Sequence, residues 1–138
     1  MSLILGIAAL ALQPQSVPVP AQPSASVTPA QAEVVRSARA WLAIVDAGRW
    51  EESWRGTTDS FRSLNTVEVW ARASEQGRVP LGAVVSRADL SQESVPAPPH
   101  GIEMVKFRTS FANRAAAIET ITLAREGQAW RVVGYWID

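Results

Sequence analysis

The chain has no cysteine. That absence excludes disulfides, thiol nucleophiles, cysteine-ligated metals and a cysteine-linked lipid anchor. Histidine occurs once, as His100, within Pro96-Ala97-Pro98-Pro99-His100-Gly101. A lone histidine without cysteine is a poor start for a zinc centre. A loop between prolines and a glycine is also a poor place to hold and tune a general base, so His100 reads as a solvated loop residue. Charge of one sign is missing too: 13 basic and 13 acidic residues leave a formal net charge of zero. Without a Lys/Arg run there is nothing to neutralise a phosphate backbone, and no nucleic acid partner is expected. No Gly-rich phosphate loop, Gly-x-Ser-x-Gly elbow or His-Glu-x-x-His motif is present, so no cofactor or metal is expected either.

Long apolar runs are scarce. Leu3–Leu12 is the one candidate, ten residues broken only by Gly6. A bilayer needs about 20, so no stable membrane span is expected. The length suits the apolar region of a secretory signal, with Ala9-Leu10-Ala11 as a small-x-small cleavage site. The segment before it lacks the usual Lys or Arg, and the first charged side chain of the chain is Glu33. The expectation is a periplasmic or secreted protein. Gln13–Pro29 holds five of the nine prolines with Ser, Gln and Ala, a composition that builds linker rather than core. The chain divides into a signal-like segment at 1–12, a Pro-rich linker at 13–28 and one folded domain at 29–138.

What is present is organised around the last third. In Ile102–Asn113, Val105, Phe107, Thr109 and Phe111 fall on one face and Lys106, Arg108 and Ser110 on the other, the period-two signature of a half-buried strand. Ala115–Arg125 is rich in β-branched residues. Glu126-Gly127-Gln128 supplies a turn, and Ala129–Ile137 a final strand. In that last run Trp130, Val132 and Trp136 share one face while Val133, Tyr135 and Ile137 share the other. A strand apolar on both faces is expected at the centre of a sheet, or between a helical layer and a partner. Gly134 in its middle permits a bend or a close approach. Ala83–Leu90 is a first strand, with Arg87, Lys106 and Arg108 facing solvent, and the Pro96–Gly101 loop follows it.

Helices precede the strands. Thr28-Pro29-Ala30-Gln31 fits a capping box, and Val34, Ala38, Trp41, Leu42 and Val45 recur at helical spacing until Gly48. A short helical turn at Arg49–Arg55 ends at Gly56, and Phe61 and Leu64 anchor the connection after it. A third helix starts near Asn65 or Thr66, with Asn65 as the better cap because Glu68 follows three residues on. Val67, Trp70, Ala71 and Ser74 form its inner stripe, and Gly77 closes it. Three helices followed by four strands predict an α+β fold: N-terminal helices on an antiparallel sheet.

Several of these segments also carry a resemblance. Trp41-Leu42-Ala43-Ile44-Val45-Asp46-Ala47-Gly48, Glu52-Ser53-Trp54, Pro80-Leu81-Gly82 with Ser86-Arg87, Phe107 to Asn113, Ala117-Ile118-Glu119-Thr120 and Trp130-Arg131-Val132-Val133-Gly134-Tyr135 together resemble the bacterial domain of unknown function 4019. That family is similar to the nuclear transport factor 2-like (cystatin-like) superfamily. The resemblance implies helices lying in a curved four-stranded sheet, frequent export and no assigned activity, and it brings no catalytic residues.

The candidate pocket residues are Trp41, Trp54, Trp70, Glu119 and Tyr135. Six tryptophans offer large contact areas. Those at inner helical positions belong to a core stripe or, where a cavity opens beside them, to its wall. Glu119 shares a strand face with Ile121 and Leu123. A carboxylate there is paired, hydrated or protonated, and Arg108 or Arg131 on neighbouring strands is the expected partner. Asp46, at a helix C-terminus, stands against the helix dipole without an evident reason.

Three functions fit. The first is a non-enzymatic exported domain that binds a small apolar ligand or a protein partner in a concave pocket. The second is a self-associating module that forms a homodimer through its sheet. The third is a hydrolase or isomerase using Glu119 with Tyr135.

Overall fold

The computed structural model describes Pro18 and residues 26–138. The signal-like segment at 1–12 and most of the linker at 13–28 lie outside the described residues.

Helix α1 runs Pro29–Asp46 and starts as the sequence predicts. The Thr28 hydroxyl accepts from the Gln31 backbone N–H at 3.2 Å, and the Gln31 side chain accepts from the Thr28 N–H at 2.9 Å. Two backbone donors that lack an intrahelical partner are thereby satisfied at once. Its buried face is Val34, Ala38, Trp41, Leu42 and Val45. Helix α2 spans Trp50–Arg55 and ends at Gly56.

The segment expected to be a simple connection forms a further helix, α3 (Asp59–Leu64), capped by the Thr58 hydroxyl on the Phe61 N–H. Leu64 is not an anchor there: it is among the most exposed apolar side chains. Helix α4 runs Val67–Gly77, and its cap is Thr66 rather than Asn65. The Thr66 hydroxyl accepts from the Val69 N–H, whereas Asn65 turns its amide back onto the Phe61 carbonyl and offers its own carbonyl to the Trp54 indole. A single 3-10 turn, Val79–Leu81, then leads into the sheet.

The strands are β1 (Val84–Val95), β2 (Ile102–Phe111), β3 (Arg114–Glu126) and β4 (Ala129–Ile137). They form an antiparallel sheet in the order β1-β2-β3-β4. The α+β arrangement expected from the sequence is the one found. The inner face of β2 and β3 follows parity: Val105, Phe107, Thr109 and Phe111 are buried, as are Ala117, Glu119, Ile121 and Leu123. The buried stripe of α1 packs on it, and Val132 of β4 completes the core.

Four irregularities break the simple alternation, one of them between Thr109 and Phe111 where β2 turns into β3. In β1 the register shifts between Val84 and Ser86 and again between Asp89 and Ser91, leaving Val85 and Leu90 as extra, exposed residues. In β4 it shifts between Gly134 and Val132, leaving Val133 over. A bulge bends its strand and reverses the facing of every residue beyond it. Val132 (opposite Leu123) and Tyr135 (opposite Ile121) therefore both point inward. The expected grouping of Val132 with Trp136 against Tyr135 is corrected accordingly. Strand β4 is also not central. It lies at the sheet edge, where Thr57 forms a parallel bridge with Val132 and the Thr58 N–H donates to the Val132 carbonyl at 2.9 Å. The α2–α3 connection supplies the cover that a central position would have given. Among the described residues no helix is long and apolar enough to cross a membrane.

Candidate functional site

Glu119 is fully buried on the inner face of β3, as its parity requires. Its cation is Arg87, not Arg108 or Arg131. The Arg87 Nε donates to Glu119 Oε1 at 2.7 Å. The Thr109 hydroxyl donates to the same oxygen, and the Tyr135 hydroxyl donates to Oε2. Arg87 reaches this position because the bulge at Val85 sets it opposite Thr109, on the inner face. The expectation that it faces solvent fails for that reason; its side chain is 10% exposed. Arg131 instead donates to the Arg55 carbonyl, and Arg108 lies exposed on the outer face.

The same guanidinium closes a longer chain. Its terminal nitrogens reach Asp46 at 2.8 and 3.1 Å, and Arg78 reaches Asp46 Oδ1 at 3.1 Å. Asp46 at the end of α1 is thus held by two arginines, which explains an acid placed against its helix dipole. The second arginine, Arg78, caps α4, stacks 4.5 Å from the Phe111 ring centroid and donates to the Gly82 carbonyl at 2.7 Å. Two guanidinium groups and two carboxylates make the cluster electrically neutral.

Burial lowers the pKa of Arg87, but its hydrogen bonds to Asp46 and Glu119 and the charges of both acids outweigh that effect and raise it well above its ordinary value. Burial, and then the charge of Glu119, push the Tyr135 phenol well above its ordinary value of 10.0. Tyr135 is therefore a fixed donor rather than a base. Glu119 is a carboxylate with three donors and no exposed surface, so it touches nothing that enters from solvent.

A cavity of about 310 Å³ opens beside this network, between the C-terminal half of α4, the end of α1 and the end of β4. Val45, Trp70, Ser74, Arg78, Tyr135 and Trp136 line it. A second cavity of about 340 Å³, walled by Asp46, Trp50 and Ala83, shares Val45 and Arg78 with the first. A groove of about 350 Å³ lies between α1 and β1. It is largely apolar, and its acid, Asp89, is surface-exposed and paired with Arg39. Arg78 lines the first two cavities, and Asp46 the second.

Of the residues singled out in the sequence, Trp70 and Tyr135 line that cavity. Trp41 stands behind them. Its ring centroid is 6.0 Å from Trp70 and 5.3 Å from Tyr135, edge-on to the latter, and its indole N–H donates to the Ser53 carbonyl at 2.8 Å. Trp70 is fixed by Ser53 as well, through the hydroxyl at 2.8 Å, and by an edge-to-face contact with Phe61 at 5.6 Å. Glu119 is sealed beneath Tyr135. Trp54 belongs elsewhere: its indole donates to the Asn65 carbonyl at 2.7 Å and Arg62 lies over its ring.

Sequence reasoning left Asp46 without a partner, placed Arg87 in solvent and passed over Arg78. The signal for them was Asp46 itself, since an acid in the last turn of a helix calls for a cation. Trp136, read in the sequence only as part of the last strand, also lines the cavity. Its ring folds back over Gly134, where an added Cβ would collide with it. His100 is exposed in the β1–β2 loop, and among the described residues no cluster of three His, Asp or Glu is placed to hold a metal.

The model of one protein family, described as "Protein of unknown function (DUF4019)", matches residues 37–135 of the chain. That span contains α2, α3, α4 and the lining residues of the cavity from Val45 to Tyr135, and stops short of Trp136. A comparison with curated proteins finds no match.

Proposed function

The chain belongs to the DUF4019 family of proteins of unknown function, and for this member we propose a non-enzymatic role: binding a small, largely apolar molecule in the cavity beside Trp70 and Tyr135. One observation carries the reading. Three aromatic side chains, Trp70, Tyr135 and Trp136, line one concavity of about 310 Å³, while the carboxylate behind them has its donors already in place. Apolar walls with a few fixed polar groups are the usual make-up of a small-molecule site. A saturated, sealed Glu119 and a Tyr135 held protonated are the opposite of what acid–base catalysis requires, so they support binding over turnover. Their work here is to brace the wall.

Helices covering one face of the antiparallel sheet support a nuclear transport factor 2-like relationship. Export belongs to the same reading and is supported by the apolar run Leu3–Leu12. A protein that stays inside the cell and still carries Met1–Leu12 by mass spectrometry would remove it.

The test of binding is a titration of the full chain with 1-ethylnaphthalene, followed by calorimetry and by tryptophan fluorescence. Saturable binding that Trp70→Leu abolishes while Trp54→Leu retains it is the expected result. Saturation that ignores Trp70, or none at all, overturns the cavity as the site.

A further inference from the structure

Ser74 and Arg78 lie four residues apart, on one side of the end of α4. Both are more than nine-tenths buried, and both line the same cavity. Among the described residues neither the Ser74 hydroxyl oxygen nor the Arg78 Nε has a hydrogen-bond partner. The other Arg78 nitrogens are engaged, on the Gly82 carbonyl and on Asp46. What remains is one directed N–H with a hydroxyl beside it. Buried polar groups seldom stay unpaired without a cause.

The charges nearby decide what kind of partner fits. An anion gains little, because Arg78 and Arg87 are already balanced by Asp46 and Glu119. The C-terminus of α4 adds the negative end of a helix dipole. A carboxylate entering here would bring surplus charge into an apolar wall. A cation does no better, since both Asp46 oxygens are taken by arginine and Glu119 is out of reach.

Building on the cavity reading, we propose that the ligand is an uncharged molecule with an aromatic or alicyclic body and one hydrogen-bond-accepting oxygen, of the ketone, amide or alcohol type, bonded by Arg78 Nε–H and the Ser74 hydroxyl. Both atoms lie beneath the cavity wall, so the acceptor reaches them by displacing a wall side chain. Trp136, 54% exposed, is the most exposed lining aromatic and the one that gives way.

The experiment compares three probes on the full chain by calorimetry. They are 1-naphthaleneacetamide, 1-naphthaleneacetate and 1-ethylnaphthalene, which present the same ring with a neutral acceptor, a carboxylate and no polar head. The amide is expected to bind about tenfold more tightly than either of the others. Ser74→Ala is expected to remove the advantage of the amide over 1-ethylnaphthalene, both measured on the same variant. Because that variant deletes an unpaired buried hydroxyl, it unfolds no sooner than the parent protein, which separates lost recognition from lost folding. Arg78→Lys, checked for native circular dichroism, gives the same loss. Acetate binding as tightly as the amide, or an amide advantage that survives both substitutions, overturns the head-group assignment. So does equal binding of the amide and 1-ethylnaphthalene, and in that case the cavity reading stands. Failure of all three probes to bind overturns the cavity reading itself, and this inference with it.

Discussion

Asp46 and Arg87 are 41 residues apart in sequence, yet they meet through two hydrogen bonds of 2.8 and 3.1 Å. One closes the first helix and the other opens the first strand. The same guanidinium continues to Glu119 at 2.7 Å, so a single side chain fixes the helical layer to the middle of the sheet.

Removing Arg87 should be costly. Arg87→Leu leaves the fully buried Glu119 without its cation, and breaking a buried pair from one side costs about 3–5 kcal/mol. The double variant Arg87→Leu/Glu119→Leu should recover much of that loss, because no unpaired buried charge remains. Urea denaturation of both variants checks this. A double variant as unstable as the single one would show that the arginine acts by shape rather than by charge.

Tyr135 is the sole tyrosine of the chain, so the tyrosinate absorbance of the protein reports on it alone. The phenol is raised well above its ordinary value of 10.0 by burial and by Glu119. The folded protein should therefore show no tyrosinate band near 295 nm at pH 11, while the urea-unfolded chain titrates near pH 10. The sign for stability follows. With the folded pKa above the unfolded one, the Tyr135 contribution is complete below about pH 10 and is lost as pH rises further toward the folded value. A native spectrum that titrates near pH 10 would refute the buried donor.

Tyr135→Phe tests the hydroxyl without disturbing the ring. It deletes a hydrogen bond to a charged acceptor and should cost about 1.5–3 kcal/mol. Thermal unfolding at neutral pH measures it. An unchanged melting temperature would mean that Glu119 finds another donor.

Gly134→Ala should destabilise by no more than about 1 kcal/mol, because the new Cβ meets only the far edge of the half-exposed Trp136 ring, which moves aside. With Trp136→Ala already in place, the same change should turn neutral or stabilising, since glycine within a strand is otherwise a cost. A melting-temperature cycle over the four proteins reads the coupling. Additive effects would separate the two residues.

Much of this architecture was legible in the residues. The stripe Val34-Ala38-Trp41-Leu42-Val45, the capping box at Thr28 and the inward facing of Glu119 follow from period and local hydrogen bonding, which the sequence carries directly. The partner of Glu119 did not follow, and the reason is specific. A bulge adds one residue to one strand without changing composition. Parity counted along β1 and β4 therefore goes out of step at Val85, Leu90 and Val133. Arg87 and Tyr135, the two residues that hold Glu119 from either side, each lie just beyond such a point. The cap of α4 was misread for a different reason: Asn65 and Thr66 are both good caps, and the Trp54 indole, which claims the Asn65 carbonyl, is eleven residues away.

The bulges have a further consequence at the sheet margin. Strand β1 is twelve residues long and lies at the end of the strand order, the kind of unpaired ribbon onto which another chain can dock and propagate. Val85 and Leu90 break its row of donors and acceptors into short pieces with mismatched spacing, and no straight strand can match more than one piece. The irregularity that carries Arg87 inward to the buried acid also keeps this edge from serving as a template for fibril growth.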